Sequence, residues 1–360
     1  MSTVRASTYQ DASGGSNAVF SGVASPPNSM GFRNRIINGD MRIDQRNAGA
    51  SISFPSGDGS YCLDRSRLQR SGAGTMTVQQ VTSAPTGFTN AIRFTVTGAS
   101  TPSSGDYYTF GQLIEGFNTA DLAWGTASAQ SITLSFWINS SVTGTYSASV
   151  YNWAGSNTYP ATFTVNAANT WEQKIITIPG ATAGTWATNN LGSVYFRIDL
   201  GSGSSFNGTA NAWNAAGQFR TSSSVNFISN ASATLTITGV QLEAGTVASP
   251  FERRDYGREL AMCQRYYCAM TNLHGNLNGS GSAIGRAFLP VVPRATPAVS
   301  YSGTATMTVY GLSTQSSTTQ PSSISISNNI LQFSITGFGT TAASGTGVLT
   351  NTTFNVSMEL

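Results

Sequence analysis

Aromatic and polar side chains alternate in three short segments of this sequence, in a pattern that suits sugar binding. Residues i and i+2 share one side of a β-strand, so 131–139, 145–153 and 193–200 each have an apolar face and a mixed aromatic and polar face. An aromatic ring stacks on the C–H face of a pyranose, while carboxylate, amide and guanidinium groups bind its hydroxyls. The candidate glycan-binding residues are Trp137, Tyr151, Trp153, Tyr195, Arg197 and Asp199.

A different use of the same aromatic residues is also consistent with the pattern. Large aromatic side chains on a strand's outer face often mark an interface. A neighbouring subunit, or a loop such as 201–219, would then cover them. The sequence leaves both interpretations open.

The sequence shows no arrangement of side chains that is typical of a catalytic site. A glycosidase needs two carboxylates about 5 to 10 Å apart across the scissile bond. No motif pairs two of the acids in this region, and no repeat of the kind that builds a β-helix recurs. His274, the single histidine, lies in a Gly/Asn-rich loop, where we expect a solvated side chain. We therefore expect no enzymatic activity. The candidate acids are Asp106, Glu115, Asp121, Glu172, Asp199 and Glu243.

Composition and charge exclude several classes of protein. A chain of 360 residues predicts two domains, or three, and 39% hydrophobic content predicts that they fold. Only 9% of the residues are charged, and a net charge of +3 is too small for an electrostatic nucleic-acid binder. No apolar run is long enough for membrane insertion, and residues 1–20 lack the pattern of a secretory signal, which predicts synthesis in a cytoplasm. The cysteines Cys62, Cys263 and Cys268 suit neither a disulfide framework nor a zinc site, so we expect buried free thiols.

The order of patterns along the chain predicts an all-β protein in four parts. Residues 1–32 have no periodicity and suit an extended arm, whereas 33–251 contain short alternating segments between Gly, Ser, Asn and Pro clusters. Residues 252–275 form a helix and loop, and 276–360 a small C-terminal β domain. The clearest predicted strands are 91–97, 106–115, 131–139, 145–153, 170–178, 193–200 and 234–243.

Residues 252–270 show helical spacing, with five side chains separated by 4, 3, 4 and 3 positions. We predict one docking or trimerising helix with these residues on its contact face. The C-terminal region beyond Ala295 has a single charged residue, Glu359, so its strand edges lack protective charges and suit a closed homo-oligomer. The predicted contact face consists of Tyr256, Leu260, Cys263, Tyr267 and Met270.

A local basic cluster, Arg65, Arg67 and Arg70, has Asp58 and Asp64 beside it. Mixed charges of this kind usually occupy a solvated surface or a salt bridge between subunits. We expect one of these two here.

Two stretches carry a resemblance to known families. NRIINGDM (34–41) and ITGVQLEAG (237–245) resemble the first and last strands of jelly-roll carbohydrate-binding modules. The order of INGDMRIDQR, then VQLEAGTVASPFERRDYGRELAMCQRYY, then a small β domain looks like the tail-fibre and head-fibre proteins of tailed bacteriophages. The resemblance covers about residues 33 to 270.

This resemblance implies a function and several partners. It implies a homotrimeric virion fibre of the tail that attaches through residues 1–32 to a tail, baseplate or capsid protein and binds host-surface polysaccharide. A capsid-decorating head fibre is the alternative, and a glycan depolymerase is disfavoured. Such modules often hold a structural Ca²⁺; the candidates here are Asp40 or Asp44 with Glu243, but the usual final-strand Asp is a Gln or Leu. We therefore expect no cofactor.

Overall fold

The computed structural model describes residues 32–155, 157–278, 281–309, 314–317, 321–327, 329–338 and 345–360. The predicted arm 1–32 lies outside them except for Phe32. Strands of the first domain are β1 (Ile52–Ser53), β2 (Gly57–Tyr61), β3 (Arg67–Arg70), β4 (Thr75–Val81), β5 (Ala91–Gly98), β6 (Tyr108–Glu115), β7 (Ile132–Ser140), β8 (Gly144–Asn152), β9 (Asn157–Val165), β10 (Glu172–Ile178), β11 (Gly192–Asp199), β12 (Asn214–Ala215) and β13 (Thr234–Ala244). Short 3-10 helices lie at Gly116–Asn118, Ala120–Leu122, Ser204–Phe206 and Phe227–Ser229.

The first domain is a jelly-roll β-sandwich of two antiparallel sheets. One sheet has six strands in the order β1-β4-β5-β13-β7-β10, and the other has seven in the order β12-β9-β8-β11-β6-β3-β2. Their inner faces share one apolar core, to which β5 and β7 contribute Phe94 and Phe136 from one sheet, and β6 and β11 contribute Phe110 and Phe196 from the other. Each sheet therefore has one face in the core and one face outside it.

Sequence alternation predicted this arrangement correctly. All seven predicted strands are present, with ends that shift by no more than two residues. The side chains assigned inward on β7, β8 and β11, such as Leu134, Val150 and Ile198, are fully buried in the core. The period of two therefore identified which residues face out of each sheet.

The helical segment is shorter than the spacing predicted. Helix α1 spans Tyr256–Gln264 and begins after Asp255, whose side chain accepts a hydrogen bond from the Arg258 backbone N–H at 2.9 Å. The chain then turns into strand β14 (Tyr267–Met270), which pairs with the C-terminal strand. The prediction of Tyr267 and Met270 on a helical face was wrong, because main-chain pairing with that strand takes over after Gln264.

The rest of the predicted helical face packs inside the subunit. Cys263 is buried against Ile37 and Ile43, and Leu260 packs at the edge of this cluster. Tyr256 is 55% exposed. The helix thus docks on its own sandwich through two of the five predicted contact residues, Leu260 and Cys263. All three cysteines are free and buried, as expected from their spacing.

The C-terminal domain is a second, smaller β structure. Its remaining strands are β15 (Leu273–Leu277), β16 (Ala283–Phe288), β17 (Ala298–Val309), β18 (Thr314–Ser317), β19 (Pro321–Ser327), β20 (Ile330–Ile335) and β21 (Gly345–Ser357). They form an antiparallel sheet in the order β18-β17-β21-β15-β16-β20-β19, with β14 also on β21. It has its own core, which includes Leu331, Phe333 and Phe354. The domain thus starts at β14, inside the segment 252–275 that we had assigned to the helix and loop.

Buried ion pairs join the two domains. The Glu359 carboxylate binds the guanidinium groups of Arg46, at 2.8 Å, and Arg65. The Glu115 carboxylate accepts hydrogen bonds from Arg265 and from the Tyr266 hydroxyl, both at 2.7 Å. The expectation of a solvated basic cluster was wrong for Arg65, which is 1% exposed, because its acidic partner comes from the far end of the chain.

In the described part of the chain, no helix has the length and apolarity to cross a membrane.

Candidate functional site

A cleft of about 290 Å³ opens on the outer face of the seven-stranded sheet. This volume is at the lower end of the range of about 300–1,000 Å³ that is typical of small-molecule sites. Strands β2, β3, β6, β8 and β11 provide the floor, and the loop after β11 provides one wall. The cleft is lined by Asp58, Gln69, Tyr107, Thr109, Tyr151, Trp153, Tyr195, Arg197, Phe206, Gly217 and Phe219.

The floor is polar and tightly bonded. The Tyr195 hydroxyl donates to Gln69 Oε1 at 2.7 Å, and the Thr109 hydroxyl donates to the same oxygen at 3.2 Å. Burial raises the pKa of Tyr195 to about 12, so this hydroxyl stays a neutral donor at physiological pH. The two hydrogen bonds that Gln69 Oε1 accepts fix the amide in one orientation.

Gly111 gives the floor its shape at the middle of the sheet. It pairs with both Arg67 and Arg197, and a Cβ built on it would lie 2.0 Å from the carbonyl oxygen of Phe196. No larger residue fits this backbone approach without moving the strands. The position between the two arginines therefore carries no side chain.

Arg197 lies across the floor under the loop. Its Nε donates to the Ser149 hydroxyl at 3.2 Å, and its guanidinium carbon lies 3.8 Å from the centre of the Phe219 ring. The side chain is 8% exposed, and its Nη2 is buried with no hydrogen-bond partner among the described residues. Burial lowers the pKa of Arg197 to about 10, which still leaves it protonated at pH 7.

Aromatic rings stand on two sides of this floor. Trp153 lies edge-to-face on Tyr195 at 5.9 Å and on Tyr151 at 6.3 Å between ring centres, and it is 38% exposed. On the other side, the loop after β11 contributes Phe206 and Phe219, whose rings are 4.7 Å apart. The 201–219 loop therefore forms a wall of the cleft and leaves the tryptophan accessible.

The acid at the rim is held by a tyrosine. The Tyr107 hydroxyl donates to Asp58 Oδ1 at 2.9 Å, and the Tyr107 ring packs edge-to-face on Phe206. Asp58 is exposed. It is the only acid among the described residues that line the cleft.

Four of the six predicted glycan-binding residues meet in the cleft: Tyr151, Trp153, Tyr195 and Arg197. Asp199 shares their face of β11, but its carboxylate accepts from the Ser202 hydroxyl at 2.6 Å and pairs with Arg220 at 3.2 Å, outside the lining. The inclusion of Trp137 was wrong, because β7 belongs to the six-stranded sheet on the opposite side of the sandwich.

Other lining residues were not predicted from the sequence. Asp58 and Gln69 come from the short strands β2 and β3, and Phe206 and Phe219 come from an irregular loop. The alternation of Arg67 and Gln69 with Leu68 was a usable signal for the strand residues. No comparable signal marks the two phenylalanines, because a loop has no period.

The calcium candidates do not fit a metal ion. The Asp40 carboxylate pairs with Arg42 at 2.5 Å, and Asp44 accepts hydrogen bonds from three backbone N–H groups of the turn that follows it. Glu243 accepts from Gln241 and twice from Ser249. Their oxygens already have protein donors, and no group of three or more His, Cys, Asp or Glu in the described residues could hold a metal ion.

Comparisons with known proteins give only distant structural likenesses. No family model matches the chain, and no curated protein matches it. One similar structure is a putative sugar binding protein from Bacteroides thetaiotaomicron, with 13% identity over 59% of this chain and 100% of that one, at a TM-score of 0.32. Another is a family 11 carbohydrate-binding module from Clostridium thermocellum in complex with a β-1,3-1,4-mixed-linked tetrasaccharide, with 12% identity over 53% and 95% at a TM-score of 0.28.

A third similar structure is the enzymatically active domain of bacteriophage CBA120 tailspike protein 4. The identity is 15% and the TM-score 0.28; the match covers 50% of this chain and 19% of the tailspike chain. Likenesses of this size carry no argument about function. The functional assignment therefore rests on the side chains of the cleft.

Proposed function

We propose that this protein binds a glycan in the cleft of the seven-stranded sheet. The observation that carries the proposal is the combination of facing aromatic walls with a hydrogen-bonding floor. Trp153 and Phe206 offer rings from opposite sides, and sugars use their C–H faces against such rings. Between the walls, the Gln69 amide and the Arg197 guanidinium provide donors for sugar oxygens.

The proposed activity is binding without cleavage. A glycosidase mechanism needs a second carboxylate across the bond from the first. Asp58 is the only residue with a carboxylate among the described lining residues. The nearby Asp199 pairs with Arg220 and accepts a hydrogen bond from the Ser202 hydroxyl. These contacts support a binding role for the cleft.

The biological setting we propose is a bacteriophage fibre. The sequence resemblance of residues 33–270 to tail-fibre and head-fibre proteins supports this part. In this proposal the chain is a virion protein made in the host cytoplasm, it anchors through residues 1–32 to a tail, baseplate or capsid protein, and its β domains contact host-surface polysaccharide. A homotrimer with several fibres per virion would convert weak single contacts into strong attachment.

A pair of tryptophan substitutions tests the glycan-binding proposal. Trp153→Ala removes the exposed ring of the cleft, whereas Trp137→Ala removes a tryptophan of the opposite sheet. Binding to an array of host-envelope glycans, followed by calorimetry on the glycans that bind, should show at least a tenfold loss for the first variant and no loss for the second. Alanine substitution of an aromatic residue that stacks on a nucleic-acid base costs about 1–3 kcal/mol, and we expect a loss of this order for a stacked sugar ring. Equal behaviour of the two variants would refute the cleft as the binding site.

A separate experiment tests the fibre assignment. Cryo-electron microscopy of the virion should show this chain as trimers, attached through residues 1–32 with the C-terminal domain outward. Attachment at the capsid would support the head-fibre alternative over the tail. A sedimentation mass of one chain at micromolar concentration would contradict the trimer.

A further inference from the structure

Arg197 differs from the buried arginines elsewhere in the molecule. Arg65 pairs with Glu359, Arg220 pairs with Asp199, and Arg254 pairs with both Glu252 and Glu259. Arg67 donates a hydrogen bond from Nη1 to the main-chain oxygen of Leu360. Arg197, the other buried arginine among the described residues, forms no ion pair and lines the cleft on the outer face of the seven-stranded sheet.

Arg197 also has a free donor. Its Nη2 is the one arginine η nitrogen in the described part of the chain that is buried without a hydrogen bond. A buried cation without its full set of partners is costly, so proteins usually satisfy such groups. Because Arg197 lines the cleft, its guanidinium is placed to bind a ligand there.

The acids nearby leave this charge uncompensated. Asp199 is committed to Arg220, and Asp58 is exposed at the rim, where it accepts the Tyr107 hydroxyl. Arg67 lies beside the cleft, with its guanidinium carbon 4.9 Å from the centre of the Trp153 ring, but its Nη1 donates to the Leu360 main-chain oxygen. Burial is the largest cause of the lowered pKa of Arg197, and the attraction of Tyr195, Tyr151, Asp199 and Asp58 offsets only part of its effect.

We propose that the cleft takes an acidic sugar, a hexuronic acid whose carboxylate binds the Arg197 guanidinium. This inference rests on the proposed function, because it assumes that the cleft binds glycan. The carboxylate completes the hydrogen bonding of the guanidinium and neutralises its charge, while the ring of the same sugar stacks on the aromatic wall.

Methyl esters provide a matched test on the unmodified protein. Oligosaccharides of galacturonic acid and of glucuronic acid are compared by calorimetry with their methyl esters, which keep the ring stereochemistry and lose the charge. We expect one acid to bind about 10 to 100 times more tightly than its ester, the range that a hydrogen bond to a charged group provides. This preference should decrease as salt is added.

A variant pair assigns the effect to Arg197. Arg197→Gln should remove the preference for the acid over the ester. Arg93→Gln, on the six-stranded sheet, is the matched control and should keep it. Thermal melting checks that both variants fold. If Arg197→Gln does not fold, the acid–ester comparison on the unmodified protein still tests whether the cleft prefers an acidic sugar.

The outcomes separate this inference from the proposed function. Equal binding of acids and esters, or tight binding of neutral oligosaccharides alone, overturns the acidic-sugar inference and leaves glycan binding in place. A failure of every acidic and neutral oligosaccharide to bind the folded protein overturns both. A preference for the acid that survives in Arg197→Gln overturns the assignment to this arginine.

Discussion

Glu359 contributes a buried carboxylate to the junction between the domains, and Glu359→Gln replaces it with an amide of the same shape. In the native protein this carboxylate binds Arg46 and Arg65 together. The Arg65 guanidinium also lies 3.7 Å from the centre of the Tyr266 ring and donates to the Leu113 carbonyl. The substitution therefore leaves a fully buried cation with its other contacts and without its counter-ion.

The expected loss follows from burial. Removal of one partner from a buried ion pair costs about 3–5 kcal/mol, because the remaining charge stays out of water. The Glu359 side chain is 8% exposed and the Arg65 side chain 1%, so little solvent screening reduces this value. The new amide N–H₂ also faces one of the two guanidinium groups. Both groups are hydrogen-bond donors, so they cannot bond to each other. We expect Glu359→Gln to lower the free energy of unfolding by about 3 kcal/mol or more.

An exposed pair gives the control for this prediction. Asp121→Asn changes the same chemical group in the Arg35–Asp121 pair, whose distance is 2.6 Å but whose acid is 54% exposed. Exposed pairs contribute about 0–1 kcal/mol. Urea denaturation of the two variants and the unmodified protein, followed by circular dichroism and tryptophan fluorescence, measures both losses. Losses of equal size would refute the reasoning that burial of Arg65 sets the magnitude.

Three further predictions concern single sites. Burial raises the pKa of Asp64 from 3.8 to about 6, so the folded state holds this proton to a higher pH than the unfolded chain does. The free energy of unfolding should therefore fall by about 2 kcal/mol from this group as pH rises from about 4 to about 6. The difference between the unmodified protein and Asp64→Asn, measured over that range, should show this slope, and a flat difference would contradict it. Gly111→Ala should lower the melting temperature by several degrees, because its Cβ has no room beside the next strand. The three buried thiols, whose pKa values burial raises, should resist Ellman's reagent in the native protein and react fully in denaturant.

The local period of two determined much of what the sequence could predict. It gave the seven clearest strands, the inward faces of β7, β8 and β11, and four residues of the cleft. It could not place Trp137 correctly, because alternation sorts the two faces of one strand and says nothing about which sheet the strand joins. That choice depends on the pairing of β7 with β10 and β13, which is a long-range property.

Long-range partners also explain the other errors. The spacing of Tyr267 and Met270 suits a helix, but a short strand of the same residues pairs with β21 at the far end of the chain. Arg65 sits among acids in the sequence, yet its counter-ion is Glu359. In both cases, the nearest residues along the chain were the wrong partners to consider.

Arg197 links the fold to the proposed function. A protein that needed this arginine only for stability would gain by pairing it with an acid, as it does at Arg65 and Arg254. Arg197 instead keeps a buried Nη2 without a hydrogen bond in the cleft that the exposed Trp153 also lines. Natural sequences break their own packing rules chiefly where binding or catalysis requires it. The unpaired arginine is therefore stronger evidence for a ligand than the aromatic residues, since aromatic walls alone would serve equally well as a subunit contact.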